Sequence, residues 1–231
     1  MADIELPTNG LRVPEDFPVA PYNSIYRKVV ATRAQHPLFE HHAGAWNALA
    51  YRFRSMVDTG QEFASSVADH GDSPSPAERY VQERALFDFY SAGFSVFECT
   101  FYGLYAIGAF LRPQTFSLAT PEDQQKVTPS STNRAYAKAF PGEPILRAFS
   151  SMFDDLEYQE WRAVRNVLTH RSAPGRVMYL SLGADNELPT EWKLNRKPID
   201  ATLTANGRRE LVRLLAALLV AGDVFVQANL K

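Results

Sequence analysis

The sequence predicts an all-α fold, and three observations carry that prediction. Long stretches place apolar residues at helical spacing, one of them is apolar almost all round, and Pro, Gly, Ser and Asp cluster in the short breaks between them. With 231 residues and 45% hydrophobic content the chain has enough material for a substantial core. No long linker divides it, so one folded domain is expected.

Residues 1–36 are assigned as an N-terminal arm. Met1 to Tyr22 hold four prolines and no clear helical or strand period, which reads as extended or disordered chain. The segment MADIELPTNG carries acids where a secretory leader needs bases and an apolar run. The folded domain then spans 37–231. From Pro37 to Val67, residues Leu38, Trp46, Leu49, Phe53, Val57 and Phe63 keep a broken helical spacing and predict the first long helix. His36, His41 and His42 sit at its start. Without a thiolate or carboxylate at ligand spacing they read as exposed histidines, and no metal site is assigned.

Asp69 to Pro76 is turn chemistry. Ser73 or Ser75 is a cap and Pro76 suits a first helical turn, so a second helix runs from Ala77 to Leu111. Its stretch Phe89–Leu111 is long enough to cross a membrane, but Glu98 at its centre, three glycines and many hydroxyls make it a poor span. It is expected to be the buried central helix of a soluble, cytoplasmic bundle with no membrane contact. Arg84, Asp88, Ser91, Ser95, Glu98, Tyr102 and Tyr105 form a polar seam along it at three- and four-residue spacing. If that seam is buried it needs partners, and the arginines of a later helix could supply them. The partnership would be either a structural ion pair fixing helix register or part of a site.

Residues 112–144 are rich in proline and read as a loop insertion with at most a short helix at Ser131–Ala139. A short helix over Pro144–Met152 leads to another, begun by Asp154-Asp155, which carries Leu156–Pro174, LEYQEWRAVRNVLTHRSAP. At about 100° per residue, Leu156, Val164, Val167 and Leu168 fall on one face, and Arg162, Arg165, Asn166, Thr169 and His170 on the other. Residues 176–200 suggest an inserted hairpin, Arg176–Leu182 returning through a turn at 183–186 to Glu191–Leu194. Thr204 precedes a last helix over Ala205–Asn229, apolar on most sides. Four principal helices, a small hairpin and short extra helices complete the expected bundle.

The net charge of −2 argues against a protein that coats nucleic acid through its overall field, so any RNA contact must be local. Single Cys99 forms no internal disulfide and fits a reducing compartment. No phosphate-binding glycine loop, dinucleotide fingerprint, nucleophile elbow or zinc-ligand set occurs, so no cofactor is expected.

Arg165, four intervening residues and His170 near a helix end, with Asn166 directly after the arginine and Arg171 flanking, resembles the signature of the HEPN superfamily (higher eukaryotes and prokaryotes nucleotide-binding). The resemblance spans roughly Leu38 to Asn229. It implies a HEPN-like helical bundle, a homodimer that pairs two signature helices in one cleft, and metal-independent endoribonuclease activity leaving 2′,3′-cyclic phosphate ends. It also implies that the chain is a toxin or defence factor held by a protein inhibitor, an antitoxin. Arg165, His170 and Asn166 are then the catalytic candidates, with Arg162, Arg171, Glu98 and Tyr102 supporting or binding RNA. Some members keep the fold without catalysis. A non-catalytic module binding a nucleotide, RNA or a protein therefore stands beside the ribonuclease. So does an unrelated helical protein in which His170 merely ends a helix where the dipole favours a cation.

Overall fold

The computed structural model describes residues 3–7, 10–71, 74–170, 176–177, 191–194 and 197–231; the side chains of His170, Arg176, Val177, Glu191 and Lys197 lie outside that description. The chain is mostly helical, with eight helices among the described residues.

The N-terminal region is not an extended arm. β1 (Asp3–Glu5) and β2 (Arg12–Pro14) pair antiparallel with Ile4 opposite Val13, and helix α1 (Val19–Arg33) follows. Leu6, Val13, Phe17, Tyr22, Ile25 and Val29 are buried. The prolines that suggested irregular chain mark boundaries: Pro14 ends β2, Pro18 immediately precedes α1, and Pro21 lies in its first turn, where no intrahelical amide donor is needed. Tyr22 and Trp46 exchange hydrogen bonds, each donating from its ring to the other's backbone carbonyl at 3.1 Å.

Helices α2 (Phe39–His70) and α3 (Pro76–Leu111) make the most extensive packing in the fold. Ser75 caps α3 in a reciprocal capping box with Glu78, and Pro76 opens it, as expected. α3 supplies much of the core, from Leu86 and Phe89 through Phe97 and Phe101 to Ile107.

The insertion at 112–144 is more ordered than a loop reading implies. It contains α4 (Pro121–Gln125) and α5 (Pro129–Ala139), each opened by a Thr-Pro pair whose threonine accepts a backbone N–H. Phe116 and Tyr136 are fully buried, and the Tyr136 hydroxyl donates to the Leu104 carbonyl at 2.7 Å, which anchors α5 to α3. α6 (Ile145–Asp154) and α7 (Leu156–His170) follow, separated by Asp155. One oxygen of Asp155 accepts the Glu157 amide at 2.9 Å and the other pairs with Arg213 at 2.8 Å.

β3 (Arg176–Val177), β4 (Glu191–Leu194) and β5 (Lys197–Pro198) form a small antiparallel sheet in the order β3-β4-β5, adding a strand to the expected hairpin. The expected turn at 183–186 lies outside the described residues. Helix α8 (Leu203–Asn229) starts two residues before the expected position, so Thr204 is inside it rather than before it, buried and donating to the Gly60 carbonyl at 2.9 Å.

Both α3 and α8 are long and apolar enough to cross a membrane by length and composition, α8 being a second such helix beside the expected Phe89–Leu111 segment. Their most apolar windows are 67% and 44% buried inside the protein, so core packing accounts for much of the apolar character of α3 and less of that of α8.

Candidate functional site

Helix α7 is held by aromatic side chains. Tyr158, Trp161 and Val164 are buried at three-residue intervals, with Trp161 4.8 Å from the Tyr90 ring and 5.1 Å from that of Phe89. This differs from the expected inner face. Leu156 stands 78% exposed and Val167 is only half-buried, because the aromatic pair, with far more area to bury than leucine or valine, sets the rotation of the helix. Burial of Tyr158 pushes its phenol pKa up to about 12, so it stays a neutral hydroxyl throughout the physiological range.

That rotation divides the outward residues between two surroundings. Arg165 turns toward α3: its Nη2 meets Glu98 Oε1 at 3.0 Å, its guanidinium carbon lies 5.2 Å from the Phe94 ring centre, and its Nη1 donates to Asn166 Oδ1 at 3.2 Å. Ser95 Oγ donates to the other Glu98 oxygen at 3.5 Å. Thr169 donates its hydroxyl to the Arg165 carbonyl at 2.7 Å and so binds its own helix. Arg162 and Asn166 line a groove of about 910 Å³ between α7 and α5, whose far wall is Ser130, Asn133 and Arg134 and whose floor includes Phe153 and Tyr158. Among the described residues, no carboxylate lines it. On its other flank α7 borders a groove where Glu157, Glu160, Asp200 and Glu210 outnumber Arg209 among the described residues.

Compared with known proteins, the chain matches no family model, no curated protein and no solved structure.

The remaining expected site residues fall as follows. The side chain of His170 and all of Arg171 lie outside the described residues. Tyr102 is not brought to α7: its hydroxyl is 3.1 Å from His41 Nδ1. The polar seam of α3 is half-exposed rather than buried, and it breaks into local pairs: Arg84 with Glu62 and Asp88, Ser95 with Glu98, Tyr102 with His41.

His42 corrects the expectation of exposed histidines. It is fully buried, stacks on Trp46 with ring centres 4.8 Å apart, and bonds through Nδ1 to the Gly103 carbonyl at 3.1 Å. Burial lowers its pKa to about 4, so it is a neutral core residue near pH 7. Among the described residues no cluster of three His, Cys, Asp or Glu side chains is placed to hold a metal ion.

Ser130, Asn133 and Arg134 are the site residues that sequence reasoning missed. The available signal was Thr128-Pro129, a cap and first-turn pair that starts a helix two residues before Ser131.

Proposed function

We propose that this chain is a metal-independent endoribonuclease of the HEPN type, acting through the outward face of α7. The observation that carries the reading is the groove, without a carboxylate among the described residues, in which Arg162 and Asn166, from the same helix as the Arg165-x4-His170 pair, offer donors to an anion. A guanidinium fork matches phosphate oxygens, and an acid-free wall leaves that potential uncancelled.

In the proposed reaction a base removes the proton of the ribose 2′-hydroxyl, the 2′-oxygen attacks the adjacent phosphorus, and the bond from phosphorus to the 5′-oxygen breaks. An acid returns a proton to that leaving oxygen, giving a 2′,3′-cyclic phosphate and a 5′-hydroxyl. His170 performs proton transfer near neutral pH, Arg165 neutralises charge on the phosphoryl oxygens, and Asn166 orients the phosphate or the ribose. Arg171 adds positive potential beyond the motif. One histidine cannot be base and acid at once, so two copies of α7 face one cleft in a homodimer. Toxicity to the host cell, restrained by a protein inhibitor in the cytoplasm, is the biological setting that such an activity suits.

Purified protein tests this in excess chelator. Wild type should cut RNA to cyclic-phosphate products, and His170→Ala should lose about 10² to 10⁴ in rate. Arg165→Lys, which keeps the charge and loses the fork, should also lose turnover. Products with 5′-phosphates, or full activity in His170→Ala, would overturn the assignment.

The Arg165–Glu98 pair favours a second reading. A guanidinium already held by a carboxylate at 3.0 Å is partly neutralised, which suits a binding module of the same fold without catalysis. RNA bound without cleavage at any protein concentration would select it.

A further inference from the structure

We propose that Arg134, on the short helix α5, is a phosphate-binding residue for single-stranded RNA in the groove it shares with α7. The inference rests on the reading that α7 handles RNA, and it assigns the opposite wall, which the Arg165-x4-His170 motif does not cover.

Six arginines among the described residues are answered by acids. Arg54, Arg79, Arg84, Arg165, Arg208 and Arg213 each pair with a carboxylate. Arg134 and Arg162 are exposed, line the same groove, and make no hydrogen bond or ion pair to another described residue. Two like charges on facing walls, with no counter-charge between them among the described residues, raise the potential of the groove, and a bound polyanion relieves it. The net charge of −2 makes this local excess a property of the groove rather than of the whole surface.

Shape selects the ligand. A cavity of about 910 Å³ is at the upper end of small-ligand sites, with room for more than one nucleotide. Its floor holds Tyr158 and the half-buried Phe153, and its walls hold Asn133 and Asn166. A concave groove carrying two guanidinium groups and two amides suits a flexible single-stranded backbone, whereas a duplex is stiffer and keeps its bases paired. The two amides supply donors and acceptors for a ribose 2′-hydroxyl, which is what separates RNA from DNA.

The test is fluorescence anisotropy with a labelled single-stranded RNA dodecamer of mixed sequence, in chelator, using full-length protein carrying His170→Ala so that binding is read without cleavage. Added Arg134→Gln should weaken binding about tenfold and reduce the salt dependence of log K by about 0.7. Arg134→Lys should recover part of the loss. Arg147→Gln, an exposed arginine on α6 outside the groove, is the matched control and should change neither quantity. Unchanged affinity and slope in Arg134→Gln overturns the inference. So does an equal loss in Arg147→Gln, equal binding of a DNA dodecamer, or no RNA binding at all. Arg134-dependent binding of RNA that wild type never cuts keeps this inference and removes the nuclease. Cleavage indifferent to Arg134 does the reverse.

Discussion

Arg165 and Glu98 meet across the interface of α3 and α7 at 3.0 Å, with the guanidinium 5.2 Å from the centre of Phe94. Side-chain exposures of 26% and 38% put this pair at the rim of the core, where water screens it. Its contribution to stability is therefore at most about 1 kcal/mol. Glu98→Gln should lower the melting temperature by no more than about 4 °C. It should also free the arginine fork, so the affinity for short RNA should rise several-fold. A fall in affinity with an intact melting curve would show that the carboxylate aids binding instead of competing with it.

Gly93 fixes the seating of α7. A Cβ built there would lie 2.4 Å from the Trp161 ring, closer than any real contact, so α3 and α7 approach only because this residue has no side chain. Alanine in mid-helix is ordinarily a gain of about 0.5 to 1 kcal/mol over glycine. Here Gly93→Ala should instead destabilise by about 1 to 3 kcal/mol, because Trp161 must shift within a packed core. Chemical denaturation measures the sign. A more stable Gly93→Ala protein would mean that α7 relaxes outward without cost.

His42 makes folding sensitive to acid. Above pH 6.5 the ring is neutral in both the folded and the unfolded chain, and its contribution is constant. Between pH 6.5 and about 4 the unfolded chain takes up a proton that the buried ring refuses, so stability falls as pH falls. The full loss is about 3 kcal/mol once both states are protonated. His42→Leu should be weaker near neutrality, where it loses the bond to Gly103, yet should show a flatter decline toward pH 4.5. Parallel pH profiles for the two proteins in urea titrations would contradict this.

The proposed chemistry requires two copies. Light scattering at micromolar concentration should give twice the 25.9 kDa chain mass. Mixing His170→Ala with Arg165→Lys chains should restore part of the lost turnover if one cleft draws on both copies. A monomer that still cuts RNA at full rate would sever the link between assembly and catalysis.

How legible this was in the sequence differs by element. α2, α3, α5, α6 and α8 followed from periodicity and capping chemistry, with Ser75-Pro76 the clearest signal. α1 was hidden because Pro18 and Pro21 look like breakers when they in fact bound a first turn. The expected rotation of α7 rests on Leu156, Val164, Val167 and Leu168, whereas the ring contacts of Tyr158 and Trp161 set the actual one. Glu98 in an apolar helix correctly called for an arginine, and Arg165 is there. Thr128-Pro129 marks the start of α5, but nothing in the chain between Arg134 and Arg162 states that α5 and α7 line one groove.

Asp16 and Arg208 join by two hydrogen bonds of 2.8 and 2.7 Å across 192 positions of sequence, and α1 packs against α8. On the ribosome, the apolar stripe of Ile25 and Val29 leaves the exit tunnel long before α8, which packs against α1, has been translated. At about 5 to 20 residues per second the wait is on the order of 10 to 40 s for the 192-residue separation. Over that interval the nascent chain presents an uncovered hydrophobic strip, and newly made protein is the population most open to chaperone capture or aggregation.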